Sequence, residues 1–556
     1  MIAISNTIGV LCREDERLAA TELFELFKTP WEFWEAGQDY AVVLSSVDSS
    51  AQLLAKLTIH SSALTSRLDD RHDVIVEVAD SEYVIDGKGC RFPIYGGVAR
   101  LQGPGVQILR GDAESETVGL LIVDSERNLI RLGFDLFREV QFLLSQGQPI
   151  KNASIPTLDH LVQLLRNCIL GAGIPLVEIP PHPPGHKFIA CLTHDVDFVA
   201  IRDHVFDHTM WGFVYRALVG SLIELVHGRM SVRRLLRNWT GVLELPLIYL
   251  GLAPDFWDEF GRYMEIERGP KSTFFLIPFK NRPGDKVPGE FPSRRAARYD
   301  IGDIPDQVAK LVQGKFEIGL HAIDAWHSVD AGRRELKQIV TYTAQRAIGV
   351  RVHWLCFDSR SPAALQDAGF DYDSSLGYNE TIGYRNGTLQ VFCPLGLDRL
   401  LELPLHIQDT ALFLVRRMSM TEADAWDLCL AVLDNALRFG GVTTILWHMR
   451  SLAPERLWGD FYVRLLEELK TRKAWIAPAG EVVDWFRQRR SVVFEDCSWD
   501  GRQLKVRLTT TNKQAEAGLV LRVYQPKRLG YSDSSEDHCY EDHSWNGQRS
   551  VEFSPA

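Results

Sequence analysis

Between Phe188 and His448 the chain repeats one pattern, a short apolar run followed by a stretch of helix length. The runs are FIACLT (188–193), STFFLI (272–277), KFEIGL (315–320), VRVHWL (350–355), FDYDSSL (370–376), LLELPL (400–405) and VTTILW (442–447). Short continuous apolar runs bounded by turn-forming residues suit strands covered on both faces. Seven of them alternating with helix-length segments predict a parallel α/β arrangement, open or closed into a barrel. Before them, helical and strand patterns mix, with helical spacing in LIRLGFDLFREVQFLL (129–144) and in LDHLVQLLRNCILGAG (158–173). We read 1–178 as an N-terminal α/β domain of unknown role. The four prolines of IPPHPPGHK (179–187) forbid helix and central strand, so this stretch is the predicted linker to a domain at 188–490. Beyond 490, SVVFEDCSWDGRQLKVRLTTTN and GLVLRVYQPK alternate as half-buried strands, predicting a small C-terminal β appendage over 491–556 with a polar, acidic tail from about 530.

Composition narrows the picture. A chain of 556 residues exceeds the roughly 250–300-residue limit of a single core, so two or three domains are expected. The 46% hydrophobic and 24% charged fractions are those of a soluble globular protein. A net charge of −12 argues against a dedicated nucleic-acid binder, which needs a basic face. Nine scattered cysteines without a C-x-x-C pair suit a reducing compartment. The N-terminus lacks a basic n-region, and no apolar run reaches ~18 uninterrupted residues, so no export signal and no spanning helix are expected and the predicted address is cytoplasmic. One segment departs from the acidic average. Residues 201–240 hold six arginines against three acids around GFVYRALVGSLIELV, and two readings stay open: peripheral contact with an anionic membrane, or a helical insertion with solvated arginines. The tail EDHCYEDH (536–543) offers His and Cys to a metal but suits a solvated tail better.

The candidate chemistry follows the strands. HDVD follows the first, His321 the third, Asp358 and Arg360 the fourth, His406 and Asp409 the sixth, and His448 the seventh. Polar residues at the carboxyl ends of parallel strands are where such folds build active sites. In THDVD (193–197) two carboxylates stand two residues apart. Provided the backbone there leaves the extended conformation, both reach one pocket, one as metal ligand and one as general base. The plain alternative is an N-cap or turn cluster.

In order, FIACLTHDVD, STFFLIP, FEIGLHAIDAWH, GVRVHWL, GFDYDSSLGY, LELPLH and TTILWH resemble the NodB-homology polysaccharide deacetylases (carbohydrate esterase family 4), specifically a variant opening with T-H-D-V-D. The resemblance implies a distorted seven-stranded β/α barrel, with Asp195 as catalytic base and Asp197 and His321 as metal ligands. The family's second histidine, four residues after the first, is here Ala325, and the next imidazole is His327. Three readings follow: His327 completes the site from a loop, Asp324 or water substitutes, or the metal is lost. Arg351 would orient the base, Leu446 would line the pocket for the acetyl methyl and His448 would act as general acid. Tyr378, His353, His406 and Asp409 would line the rim, binding sugar hydroxyls or supporting the ligands. The implied activity is a divalent-metal (zinc) N-deacetylase, a hydrolase of C–N bonds acting on an acetylated amino sugar in a polysaccharide or glycolipid precursor. The alternatives are a non-catalytic carbohydrate-binding or assembly protein on the same fold, and a related C–N hydrolase of deformylase type.

Overall fold

The computed structural model describes residues 4–554 apart from 50–52, 54, 80, 87–88, 114–115, 125–126, 229, 270, 287–291, 512–517 and 526–538. The chain divides into two compact units, one made of Met1–Gly185, Asn386–Gly396 and Trp485–Ala556, the other of His186–Arg385 and Leu397–Asp484.

The first unit corrects the predicted boundaries. Its N-terminal strand Ile4–Leu11 pairs in parallel with Tyr40–Ser45 and, on its other side, antiparallel with Val492–Trp499. Leu504–Thr510 and Ser550–Phe553 extend the same sheet, and Leu519–Tyr524 lies between Leu176–Glu178 and Tyr540–Trp545. Of the strands after 490, three therefore complete the N-terminal sheet and two join Leu176–Glu178 in a separate three-stranded sheet, so they form no appendage of their own. Alternation identifies a half-buried strand but is silent about its partner, and here the open edge of Ile4–Leu11 supplies it. Of the expected loose tail, 526–538 lies outside the described residues, while 540–545 is a paired strand. Residues 386–396, predicted within the barrel, also belong here. The buried carboxylate of Asp159 accepts from Thr388 Oγ1 (2.8 Å) and Leu389 N (2.9 Å), and Leu158 N donates to the carbonyl of Gly387 (2.7 Å). Burial pushes the Asp159 carboxyl up to about 7, although the hydrogen bonds from Thr388 and Leu389 oppose the rise.

The second unit is built on a nine-stranded sheet whose recorded pairings are all parallel. Its strands are β1 (Ile189–Val196), β2 (Thr273–Leu276), β3 (Glu317–Ala322), β4 (Val350–Val352), β5 (Tyr372–Asp373), β6 (Leu401–Glu402), β7 (Ile407–Gln408), β8 (Val442–Leu446) and β9 (Trp475–Ala477). The order is β6-β5-β4-β3-β2-β1-β8-β7, with β9 against β1. The two ends of that order, β6 and β7, are separated by only four residues, 403–406. Across them Leu405 N donates to Leu376 O (2.9 Å) and His406 N to Thr444 O (3.1 Å), so the sheet curls round on itself. Nine strands replace the seven expected. Ile407–Gln408, just past the predicted 400–405 run, and Trp475–Ala477 are two short strands outside the predicted runs. Every residue of β1, β2, β4, β5 and β8 is buried, as the continuous apolar runs require. Gly349 is fixed by close approach, since a Cβ there would lie 1.9 Å from the Tyr372 ring. That ring instead passes across and bonds Glu317 (2.9 Å).

Candidate active site and metal centre

In β1, alternate side chains share a face. His194 turns outward and is tied through Nδ1 to the carbonyl of Trp447 (2.7 Å) and through Nε2 to Glu267 (2.8 Å). Thr193 and Asp195 therefore take the opposite side. Asp195 lies within β1 and Asp197 one residue past its end, where the chain bends, so the departure from extended backbone set as the condition from the sequence falls at Asp197.

His321, at the end of β3, faces them. Its Nδ1 meets the carbonyl of Arg351 (3.0 Å), and its Nε2 lies 3.2 Å from Asp197 Oδ1 and 3.8 Å from Asp195 Oδ2. His353, just beyond β4, completes the group. Its Nε2 meets the carbonyl of Arg295 (3.1 Å), and its Nδ1 lies 2.8 Å from His321 Nε2 and 3.1 Å from Asp197 Oδ1. A carbonyl only accepts, so the nitrogen bonded to it carries the proton. The two nitrogens that face one another are thus lone pairs, beside a carboxylate oxygen, and all three donor atoms lie within 4.8 Å of one another. This donor set repels itself unless a cation sits between, and two carbonyl-oriented imidazoles with one carboxylate fit a divalent metal that keeps open positions. Burial lowers the His353 imidazole to about 4 against the pull of Asp197, so it is neutral near pH 7, as a ligand must be. Burial alone would raise Asp197, but the imidazoles of His353, His321 and His448 hold it well below the ordinary carboxylate range.

His327 is not part of this group. The segment 323–328 is a loop, as a ligand there would require, yet His327 Nε2 bonds Asp324 Oδ1 of its own turn (3.0 Å). The cause is Glu335, which accepts from the amides of Ile323 (2.9 Å) and Asp324 (2.8 Å) and sets the turn that closes His327 onto Asp324. The place expected for His327 is taken by His353. A signal for it existed, since Arg351 and His353 stand two apart at the end of one strand.

His353 is held by unusual backbone. Trp354 and Leu355 both adopt left-handed conformations (φ 65° and 52°), which cost of order 1–3 kcal/mol each for residues with side chains. Buried Arg295, which sequence reasoning did not single out, clamps the loops from below. It donates to the carbonyls of Pro283 (2.7 Å), Ile323 (2.8 Å) and His353 (3.0 Å). Arg295→Met should therefore destabilise the unit by about 3 kcal/mol or more, because each buried carbonyl left without a donor costs ~1–3 kcal/mol. A urea transition at the wild-type midpoint would show the clamp to be dispensable.

Around the cluster, buried Arg351 donates to Asp195 Oδ1 (3.2 Å), Thr193 Oγ1 (3.3 Å) and Ser374 Oγ (2.8 Å). His448 points Nε2 toward Asp197 Oδ2 (3.8 Å), while its Nδ1 bonds Asp409 Oδ1 (2.6 Å) and its amide bonds Asp409 Oδ2 (2.7 Å). Ser451 also donates to Asp409. Burial lowers the His448 pKa, but Asp409, then Asp197 and Asp195, pull it above the usual imidazole value. Leu446 forms a small apolar cluster with Leu355 and Leu405. Tyr378 is buried and its carbonyl accepts from Gln408. His406 is built into the sheet, its Nδ1 accepting from Thr444 N (3.2 Å). Asp358 caps its own turn, accepting from the amide of Arg360 (2.8 Å).

Compared with known families and with curated proteins, the chain matches none. Among solved structures it is similar to a Mycobacterium smegmatis protein assigned as a polysaccharide deacetylase, at 18% identity over 56% of this chain and 96% of that one, with a TM-score of 0.34. It is also similar to Puue allantoinase (14%, 55% and 92%, TM-score 0.32). A CE4 family pseudoenzyme from Bacillus anthracis is a third (13%, 55% and 69%, TM-score 0.25).

Proposed function

We propose that the second unit is a NodB-like barrel carrying a metal-dependent amide hydrolase, an N-deacetylase acting on an acetamido sugar of a polysaccharide or glycolipid precursor. The observation that carries this reading is the convergence of Asp197, His321 and His353 beside an arginine-held Asp195 and an aspartate-held His448. The motif series read from the sequence points the same way. Asp197, His321 and His353 would hold a divalent cation, zinc by their donor set, which would supply Lewis-acid polarisation of the amide carbonyl and a more acidic water. Asp195, oriented by Arg351, accepts the proton of the attacking water. His448 gives a proton from Nε2 to the departing amine as the C–N bond breaks, leaving acetate and a free amino sugar. Asp409 on Nδ1 fixes its tautomer and favours the charged form that donates. The apolar cluster of Leu446, Leu355 and Leu405 would receive the acyl methyl, and Tyr378 would contact the sugar.

The test is acetate release from N-acetylated chito-oligosaccharides by zinc-loaded protein, wild type against His448→Gln. The variant should lose about 10²–10⁴-fold, the usual contribution of a positioned acid. Release of formate in place of acetate from N-formylated analogues would move the assignment to a deformylase. Binding of the oligosaccharide without release of any acid would make the protein a carbohydrate-binding one.

A further inference from the structure

The helical excursion after β1 exposes as many large apolar side chains as the rest of the described molecule together. Among the described residues, 16 of the 32 exposed large hydrophobic side chains lie between Val205 and Leu252. A helix runs from His208 to Val226 through a π turn at Arg216–Gly220, and a second spans Val232–Tyr249. Each is apolar on two sides. The inner sides, with Phe213, Ala217, Leu245 and Ile248, pack with Trp257 into one buried cluster. The outer side of the first carries Trp211, Tyr215, Leu218, Leu222 and Val226, and that of the second carries Val232, Leu236, Trp239, Leu243, Leu247 and Leu250. These sit at three- and four-residue spacing, so each is a continuous stripe. Trp211 is 56% exposed and Leu243 76%. A folded domain does not leave such stripes in water without an occupant.

The charge beside the stripes identifies the occupant. In a chain of net charge −12, the same excursion exposes Arg202, Arg216, Arg233 and Arg237 against only Asp203 and Glu244 among its described residues. At the start of the second helix, Arg233, Arg234, Arg237 and Arg262 line a cavity of about 480 Å³ with Asp460 as its acid. We infer that this helical pair docks on an anionic lipid bilayer, its apolar stripes in the acyl boundary, its indoles at the interface and its arginine-lined cavity toward lipid phosphates. By length and composition alone, the His208–Val226 helix could also cross a bilayer, although Arg216 and Glu224 interrupt its apolar run. Its inner side is committed to the cluster around Trp257, however, so it lies on the surface. The helices leave from the carboxyl end of β1, the end that carries Asp195 and Asp197, and Tyr263 just beyond them bonds the carbonyl of His448 (2.8 Å). The inference does not rest on the deacetylase reading.

The test is co-sedimentation of the full chain with vesicles of phosphatidylcholine alone or mixed with phosphatidylglycerol. Binding is expected only to the anionic vesicles, falling as salt is raised to roughly 0.5 M, where the Debye length is short. Arg233→Glu with Arg237→Glu, and separately Trp211→Glu with Leu243→Glu, should each weaken it at least about tenfold, since each surface arginine contributes ~1 kcal/mol. All four side chains are exposed, so circular dichroism should be unchanged. Wild-type protein left in the supernatant, or either variant binding as well as wild type, would overturn the inference. So would a dimer in vesicle-free sedimentation that Trp211→Glu with Leu243→Glu dissociates, because a second copy would then cover the face.

Discussion

Asp195→Asn is expected to keep its divalent metal and lose about 10²–10⁴-fold in turnover, the span a positioned base contributes. The carboxylate lies on the cluster side of β1, fixed by Arg351 at 3.2 Å, yet is not one of the three converging donors. An amide there keeps the shape and can still accept from Arg351, so the metal centre should be undisturbed, but it cannot take a proton from water. Turnover within about tenfold of wild type would remove Asp195 from the base role. Loss of metal together with turnover would instead make it a ligand.

His353→Ala should weaken metal binding by more than the ~10–100-fold that losing an outer partner of a ligand costs, while His327→Ala leaves it unchanged. The contrast follows from geometry: His353 Nδ1 lies 2.8 Å from His321 Nε2, whereas His327 is spent on Asp324. Equilibrium dialysis against zinc reads both variants. Equal losses from the two would mean that the 323–328 loop reorganises when metal enters, returning His327 to the site.

Much of this centre was legible in the sequence because strand physics is local. The apolar runs located the staves, and the polar residues after them located the face at which Asp195, Asp197, His321, Arg351 and His448 gather. What escaped was decided by partners distant in the chain. The turn that removes His327 depends on Glu335, and the pose of His353 depends on Arg295, 58 positions away, and on two left-handed residues that are not glycine. Assignment of 491–556 failed for a similar reason, since the alternation that reveals Val492–Trp499 as a strand carries nothing about Ile4–Leu11 as its neighbour. Ile407–Gln408 and Trp475–Ala477, two and three residues long, are too short to stand out as apolar runs.

X-ray absorption at the zinc edge of the loaded protein tests the centre most directly. The geometry predicts two imidazole nitrogens and a carboxylate oxygen, with one imidazole lost in His353→Ala and none in His327→Ala. Three imidazoles in the wild type, or an imidazole lost with His327, would contradict it.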